Sequence, residues 1–198
     1  MTADRYIIPA REARTELRVV NSRFIASAGP AFSLEEAKEF ITRIRMEYND
    51  ASHNVPAYII GHGSSTINHC SDDGEPSGTA GRPVLAVLQG SGLGDIVIVI
   101  TRYFGGTKLG TGGLVRAYSD ATRSVLQTLP RARKIPTHTV SVSLPYNLFE
   151  RVKRLVEANR GELLEQDFAA QAIITARFAF DDLPEFQNNL RDISRGKI

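Results

Sequence analysis

The chain has 198 residues, 42% of them hydrophobic and 23% charged, enough for one large domain or two small ones around a real core. Its net charge of +2 is too small to argue for a nucleic-acid partner by itself, and its longest purely aliphatic run, residues 96–100, falls far short of the ~20 residues of a membrane helix. The single cysteine, Cys70, excludes an intrachain disulfide; with no apolar signal segment in residues 1–11, a cytoplasmic location without membrane association is expected. Residues 1–136 hold 16 basic and 13 acidic side chains, residues 137–198 hold 8 and 9, so any attraction for phosphate belongs to the first part.

In chain order, residues 16–28 read as a strand or hairpin edge, followed by a Gly29-Pro30 turn signal. Ser33 and Glu36 form a capping box, and the helix they open places Ala37, Phe40, Ile41, Ile44 and Tyr48 on one face. Residues 57–60 are a short buried strand, and a polar loop runs from His62 to about Ala80. Pro83 suits the first turn of a short helix with Val84, Leu85 and Leu88 inward, which Gly90 can end. Residues 96–101 are apolar at every position, the pattern of a central strand covered on both faces. A glycine-rich loop at 105–113 then leads into a long helix whose apolar face is Leu114, Tyr118, Ala121, Val125 and Leu129.

Residues 130–136, two prolines bracketing three positive charges, read as a linker between a domain of residues 1–131 and one of 137–198. In the second, Val140, Val142 and Leu144 alternate with polar residues in a strand, and Phe149, Val152, Leu155 and Val156 mark a helix stopped by Gly161. Residues 163–167 and 172–180 make a hairpin, and Pro184 starts a last helix with Phe186, Leu190 and Ile193 inward. The order βαββα is most of a ferredoxin-like unit, its final strand missing or reduced to Lys197-Ile198.

Eleven of the 16 glycines lie between Gly74 and Gly113. Gly105, Gly106, Gly110, Gly112 and Gly113 join the end of a buried strand to a helix N-terminus, where the first amides lack intrahelical partners and the dipole favours negative charge. Lys108, Arg102 and Arg116 add positive charge, and Thr107 and Thr111 add hydroxyls. The segment is neither a P-loop nor a dinucleotide fingerprint. Anion binding and a purely structural turn both stand as readings of it. Asp72, Asp73 and Glu75 could hold a Mg²⁺, or Asp72, Ser77 and Thr79 could tie their loop together through side-chain to backbone bonds, and the second reading is favoured. Tyr103 and Phe104 either close the core at the strand end or stack on bases. Cys70 and the four histidines show no catalytic or zinc spacing, so no catalytic residue, metal or cofactor is assigned.

Two long stretches carry a resemblance: Ser71-Asp72-Asp73-Gly74-Glu75-Pro76-Ser77-Gly78-Thr79-Ala80-Gly81-Arg82-Pro83, and Thr101-Arg102-Tyr103-Phe104-Gly105-Gly106-Thr107-Lys108-Leu109-Gly110-Thr111-Gly112-Gly113-Leu114-Val115-Arg116-Ala117-Tyr118. Together they resemble the signature of the IMPACT family in its bacterial YigZ-type branch. Ser22, Arg23, Phe24, Ile25, His53 and Asn54 agree with it, while Asn21 stands where a lysine is common and Val55-Pro56 replaces a cysteine–aromatic pair. The resemblance implies an α+β, two-domain fold: an N-terminal ribosomal protein S5 domain 2-like α/β sandwich and a C-terminal ferredoxin-like domain similar to the C-terminal domain of elongation factor G. Eukaryotic members regulate translation initiation, using an additional N-terminal domain not expected in this chain. The implied function is that of a non-catalytic, translation-related binding protein whose partner is RNA or a translation-associated protein. The alternative is an enzyme acting on a small phosphorylated or nucleotide substrate at the surface of the 72–79 and 105–113 loops, with His53 taking part.

Overall fold

The computed structural model describes residues 5–63 and 66–198. Residues 1–4, at the head of the first expected domain, and 64–65, inside the polar loop after His62, lie outside them. The chain packs as two compact units, one of Tyr6–Lys134 and one built on Ile135–Ile198. The α+β class and the two-domain architecture are those expected.

The first unit runs β1 (Tyr6–Pro9), β2 (Ala13–Val19), β3 (Ser22–Pro30), α1 (Leu34–Glu47), β4 (His53–Ile60), β5 (Ile67–Cys70), α2 (Gly81–Gly90), β6 (Ile96–Tyr103), α3 (Gly110–Thr128) and β7 (Arg131–Lys134). Five strands form an antiparallel sheet in the order β2-β3-β6-β4-β5. Side chains alternate across a strand, so the unbroken apolar run of β6 serves two cores. Ile96, Ile98 and Ile100 pack with Phe24, Leu88 and Tyr118 on the side of α2 and α3. Val97 and Val99 pack with Phe40, Ile41 and Ile44 of α1 on the other. All five are fully buried, each worth about 2 kcal/mol relative to exposure, an upper figure because unfolded chains already bury some surface.

Local expectations hold with adjustments. Ser33 Oγ accepts the Glu36 amide at 3.2 Å, but the returning Glu36 carboxylate takes the Phe32 amide at 2.8 Å, one residue outside the expected box. The segment expected at 16–28 is part of a complete hairpin, β2 and β3, that spans residues 13–30. Gly29 and Pro30 are not a turn; they end β3, opposite Val97 and Ile96. The polar loop after His62 contains β5, paired with β4.

The expected linker is overturned in its middle. Arg131–Lys134 is strand β7, paired antiparallel with β1, and the Ala10 amide donates to Pro130 O at 2.8 Å. Lys134 Nζ reaches the Asp95 carboxylate at 2.5 Å, as do the Tyr6 hydroxyl and the Gly61 amide at 2.7 Å each. Burial by itself would raise the pKa of Asp95, which is 1% exposed; the bonds from Lys134, Tyr6 and Gly61 outweigh it and hold the carboxyl below its usual value. Alternating exposure along Arg131, Ala132, Arg133 and Lys134 is a strand's period. Its partner lies more than a hundred residues earlier, which is why charge and prolines alone read as a hinge.

The second unit runs β8 (Thr137–Leu144), α4 (Phe149–Ala158), β9 (Glu162–Phe168), β10 (Ala172–Ala179) and α5 (Leu183–Ser194). Its sheet is antiparallel in the order β8-β10-β9, the order of a ferredoxin-like sheet without its fourth strand, and Lys197 and Ile198 form none. Leu144, Val152, Val156, Ile174, Phe178, Phe186 and Leu190 make its core. Gly161 is held there by packing, since a Cβ would lie 2.4 Å from the Phe178 ring.

Candidate functional site

The two signature stretches meet in the first unit, where Glu75, Thr79, Thr101, Arg102 and Tyr118 turn inward and are buried. Asp72 is the tie of its loop: its carboxylate accepts the Gly78, Ala80 and Gly81 amides at 2.7, 3.1 and 2.8 Å. Burial alone would raise its pKa, but the amides of Gly78, Gly81 and Ala80, helped by Arg82, bring the net shift below the usual carboxylate value. Asp73, at φ 47°, accepts the Asn54 amide on one oxygen at 2.7 Å and Arg45 on the other at 2.6 Å. Thr79 Oγ1 donates to Pro76 O at 2.6 Å. Asn54, buried, donates to Tyr48 O and accepts from Thr101 Oγ1. His53 Nδ1 lies 2.8 Å from Asp73 O; a carbonyl only accepts, so Nδ1 carries the proton and Nε2 faces Glu75 Oε2 at 3.8 Å. Ser77 is exposed, and no bond to its hydroxyl forms among the described residues.

Glu75 joins this loop to the second stretch. Its Oε1 accepts from Arg102 Nη1 at 2.6 Å and from the Tyr118 hydroxyl at 2.7 Å, and both side chains of the ion pair are at most 5% exposed. Arg102 Nη2 also reaches Ser22 Oγ at 3.3 Å, and its guanidinium sits 5.5 Å from the centres of the Phe24 and Phe104 rings. Arg102 is therefore not the phosphate-binding fork that the sequence suggests: it neutralises a buried carboxylate, and a cation without water around it needs that partner. Burial and then the bond to Glu75 push the Tyr118 hydroxyl strongly upward, so it stays a protonated donor. The sequence reading placed Tyr118 on an apolar face and in the family signature, and Ser22 among the residues that agree with that signature, but gave neither a hydrogen-bonding role. The hydroxyl on an otherwise aliphatic stripe was the available signal, because a buried tyrosine needs a polar partner.

The 105–113 loop is different. Gly105 is required by packing: a Cβ there would lie 2.0 Å from Asn21 O in the turn between β2 and β3. Gly106 and Gly110 take positive φ. Gly113 would meet Leu109 at 3.1 Å, and Thr107 Oγ1 is 3.5 Å from Asn21 Nδ2. Gly112 has no such reason. Its φ is not positive and a Cβ would meet nothing within 4 Å, yet glycine inside a helix costs about 1 kcal/mol relative to alanine. The N-terminus of α3 around it has no side-chain cap and no acidic residue in its first turn. Thr111 is exposed on that turn, and Lys108 and Arg116 are exposed on either side of it with no ion-pair partner among the described residues. Phe104, at the start of the loop, is 47% exposed, whereas Tyr103 is half-buried and donates to Asp50.

Burial, then the nearby Asp72, push the Cys70 thiol up, the opposite of an activated thiolate. Cys70 pairs with Ala57 across the strands, and His62 is stacked on Tyr6. Among the described residues no group of three or more His, Cys, Asp or Glu could hold a metal, and no helix is long and apolar enough to cross a membrane.

Fold and site together define a two-domain protein built on an Impact N-terminal domain, whose family model matches residues 20–126; a domain of unknown function (DUF1949) matches residues 142–197. The chain belongs to the IMPACT family. It is 35% identical over 194 residues to IMPACT family member YigZ of Escherichia coli strain K12, covering 98% of this chain and 95% of that one. It is 34% identical over 191 residues to IMPACT family member YvyE of Bacillus subtilis strain 168, covering 92% and 87%. A crystal structure of a hypothetical protein superimposes with a TM-score of 0.76 at 35% identity, over 100% of this chain and 96% of that one.

Proposed function

We propose that this protein is a non-catalytic, translation-related binding protein that holds RNA backbone at the N-terminus of α3. The observation that carries the reading is Gly112, a helix glycine that neither backbone conformation nor packing demands, at an uncapped first turn flanked by Lys108 and Arg116, exposed cations without an ion-pair partner among the described residues. Oriented amides, room for close approach and flexible positive charge are what a phosphate needs. Translation enters through family membership, because the resemblance points to eukaryotic members that regulate initiation. The loop of Asp72 serves as a rigid wall: its carboxylates are engaged with backbone amides, Arg45 and Arg102, which leaves them poorly placed to act on a small substrate.

Binding of a short single-stranded RNA, followed by fluorescence anisotropy between 50 and 200 mM salt, tests this. Lys108→Ala should weaken binding about equally for all sequences and lower the salt slope by about one phosphate contact, with unchanged melting. If affinity and slope both stay at the wild-type value, the loop is a structural turn.

A further inference from the structure

The two edges of the second unit's sheet are built in opposite ways. The β9 edge carries Glu162, Glu165 and Asp167, and its register against β10 shifts between Thr175 and Ala176. Charges and an irregular register are how proteins keep an open sheet edge from recruiting another strand. The β8 edge has neither. Thr137-His138-Thr139-Val140-Ser141-Val142-Ser143-Leu144 contains no acidic or basic residue apart from one histidine and no proline. It pairs with β10 over eight consecutive residues without a break, and no strand covers its outer side among the described residues. Beside that edge lies a groove of about 460 Å³ between β8 and α5, lined by Val140, Val142, Leu183, Phe186 and Leu190 together with Gln187 and Arg191 of α5. This is where the fourth strand of a ferredoxin-like unit would lie.

We infer that the β8 edge is a self-association surface, its occupant β8 of a second copy of this chain, paired antiparallel about a two-fold axis. An isologous interface sets each patch against itself, so any strong charge on the strand would meet its own like; β8 has none. Pairing centred on Ser141 sets Val140 opposite Val142 of the second copy and Thr139 opposite its Ser143. Because that register keeps odd residues opposite odd and even opposite even, the half-buried valines stay on the helix-covered face of both sheets. The free N–H and C=O groups of two edges satisfy each other, and apolar walls of both grooves lose water together. The result is a continuous six-stranded sheet.

Sedimentation of the full chain over a concentration series tests it. Ser141 is exposed on the open face, so Ser141→Lys and Ser141→Glu should each melt close to the wild type. Each should raise the dimer dissociation constant about fivefold or more by placing like charges opposite, and an equimolar mixture should restore dimers by pairing lysine with glutamate. If either Ser141 variant unfolds, Thr139→Lys with Ser143→Lys in one chain and Thr139→Glu with Ser143→Glu in the other, at two exposed positions that face each other across the axis, repeat the experiment. A wild type that stays monomeric through the whole series overturns the proposal. So do variants that dimerise like the wild type, or a mixture that dimerises no better than its parts.

Discussion

The loop of Asp72 and the loop of Lys108 carry the same kind of polar, glycine-rich sequence and do different things with it. In the first, Asp72 binds three amides, Asp73 binds an amide and an arginine, and Glu75 binds Arg102 and Tyr118. In the second, Lys108, Thr111 and Arg116 point to solvent beside amides with no side-chain cap. Residue type does not separate engaged from available polar groups here; satisfaction does. A polar group whose partners are inside the fold has nothing left to offer a ligand, whereas an unpaired donor at a helix start is chemically available.

The contrast can be broken most forcefully at Glu75. Glu75→Ala leaves the Arg102 cation buried without its partner and should cost about 3–5 kcal/mol, read as a large drop in the denaturant midpoint. A loss near zero would mean that the ion pair does not hold the two stretches together.

Asp72→Ala comes next, at about 2–3 kcal/mol near neutral pH, because three loop amides lose their acceptor. The folded pKa of Asp72 lies below its unfolded value, so its contribution is complete above the ordinary carboxylate range and fades as pH falls through the folded value. Melting temperatures of variant and wild type should therefore converge below about pH 4. A gap that persists unchanged into acid would assign the effect to packing instead.

The smallest effect is the sharpest discriminator. Gly112→Ala should stabilise the protein by up to about 1 kcal/mol, since the added methyl meets open space in a helix. The same change should weaken RNA binding, because the methyl stands where a phosphate would approach. Gly105→Ala in the same loop should destabilise, as its Cβ would collide with Asn21 O. If Gly112→Ala binds RNA as the wild type does, the open glycine has no ligand to make room for.

Local chemistry carried the sequence reading far. The 3.6-residue stripes of α1 and α3, the unbroken apolar run of β6, the alternation in β8 and the order βαββα are written in consecutive residues, and each formed where the pattern put it. The reading that Asp72 ties its own loop also needed only neighbours, since its partners lie within nine residues. What sequence alone did not decide were pairings across long separations. Arg102 looked like a free cation until Glu75, 27 residues away, was found against it. Residues 131–134 looked like a hinge until β1 was found beside them. Glycine type said nothing about why Gly105 and Gly112 are glycines; one is pressed against the β2–β3 turn and the other faces open space. Periodicity is a property of one segment and can be read from it, but burial and charge pairing belong to two segments at once, and only the folded chain brings them together.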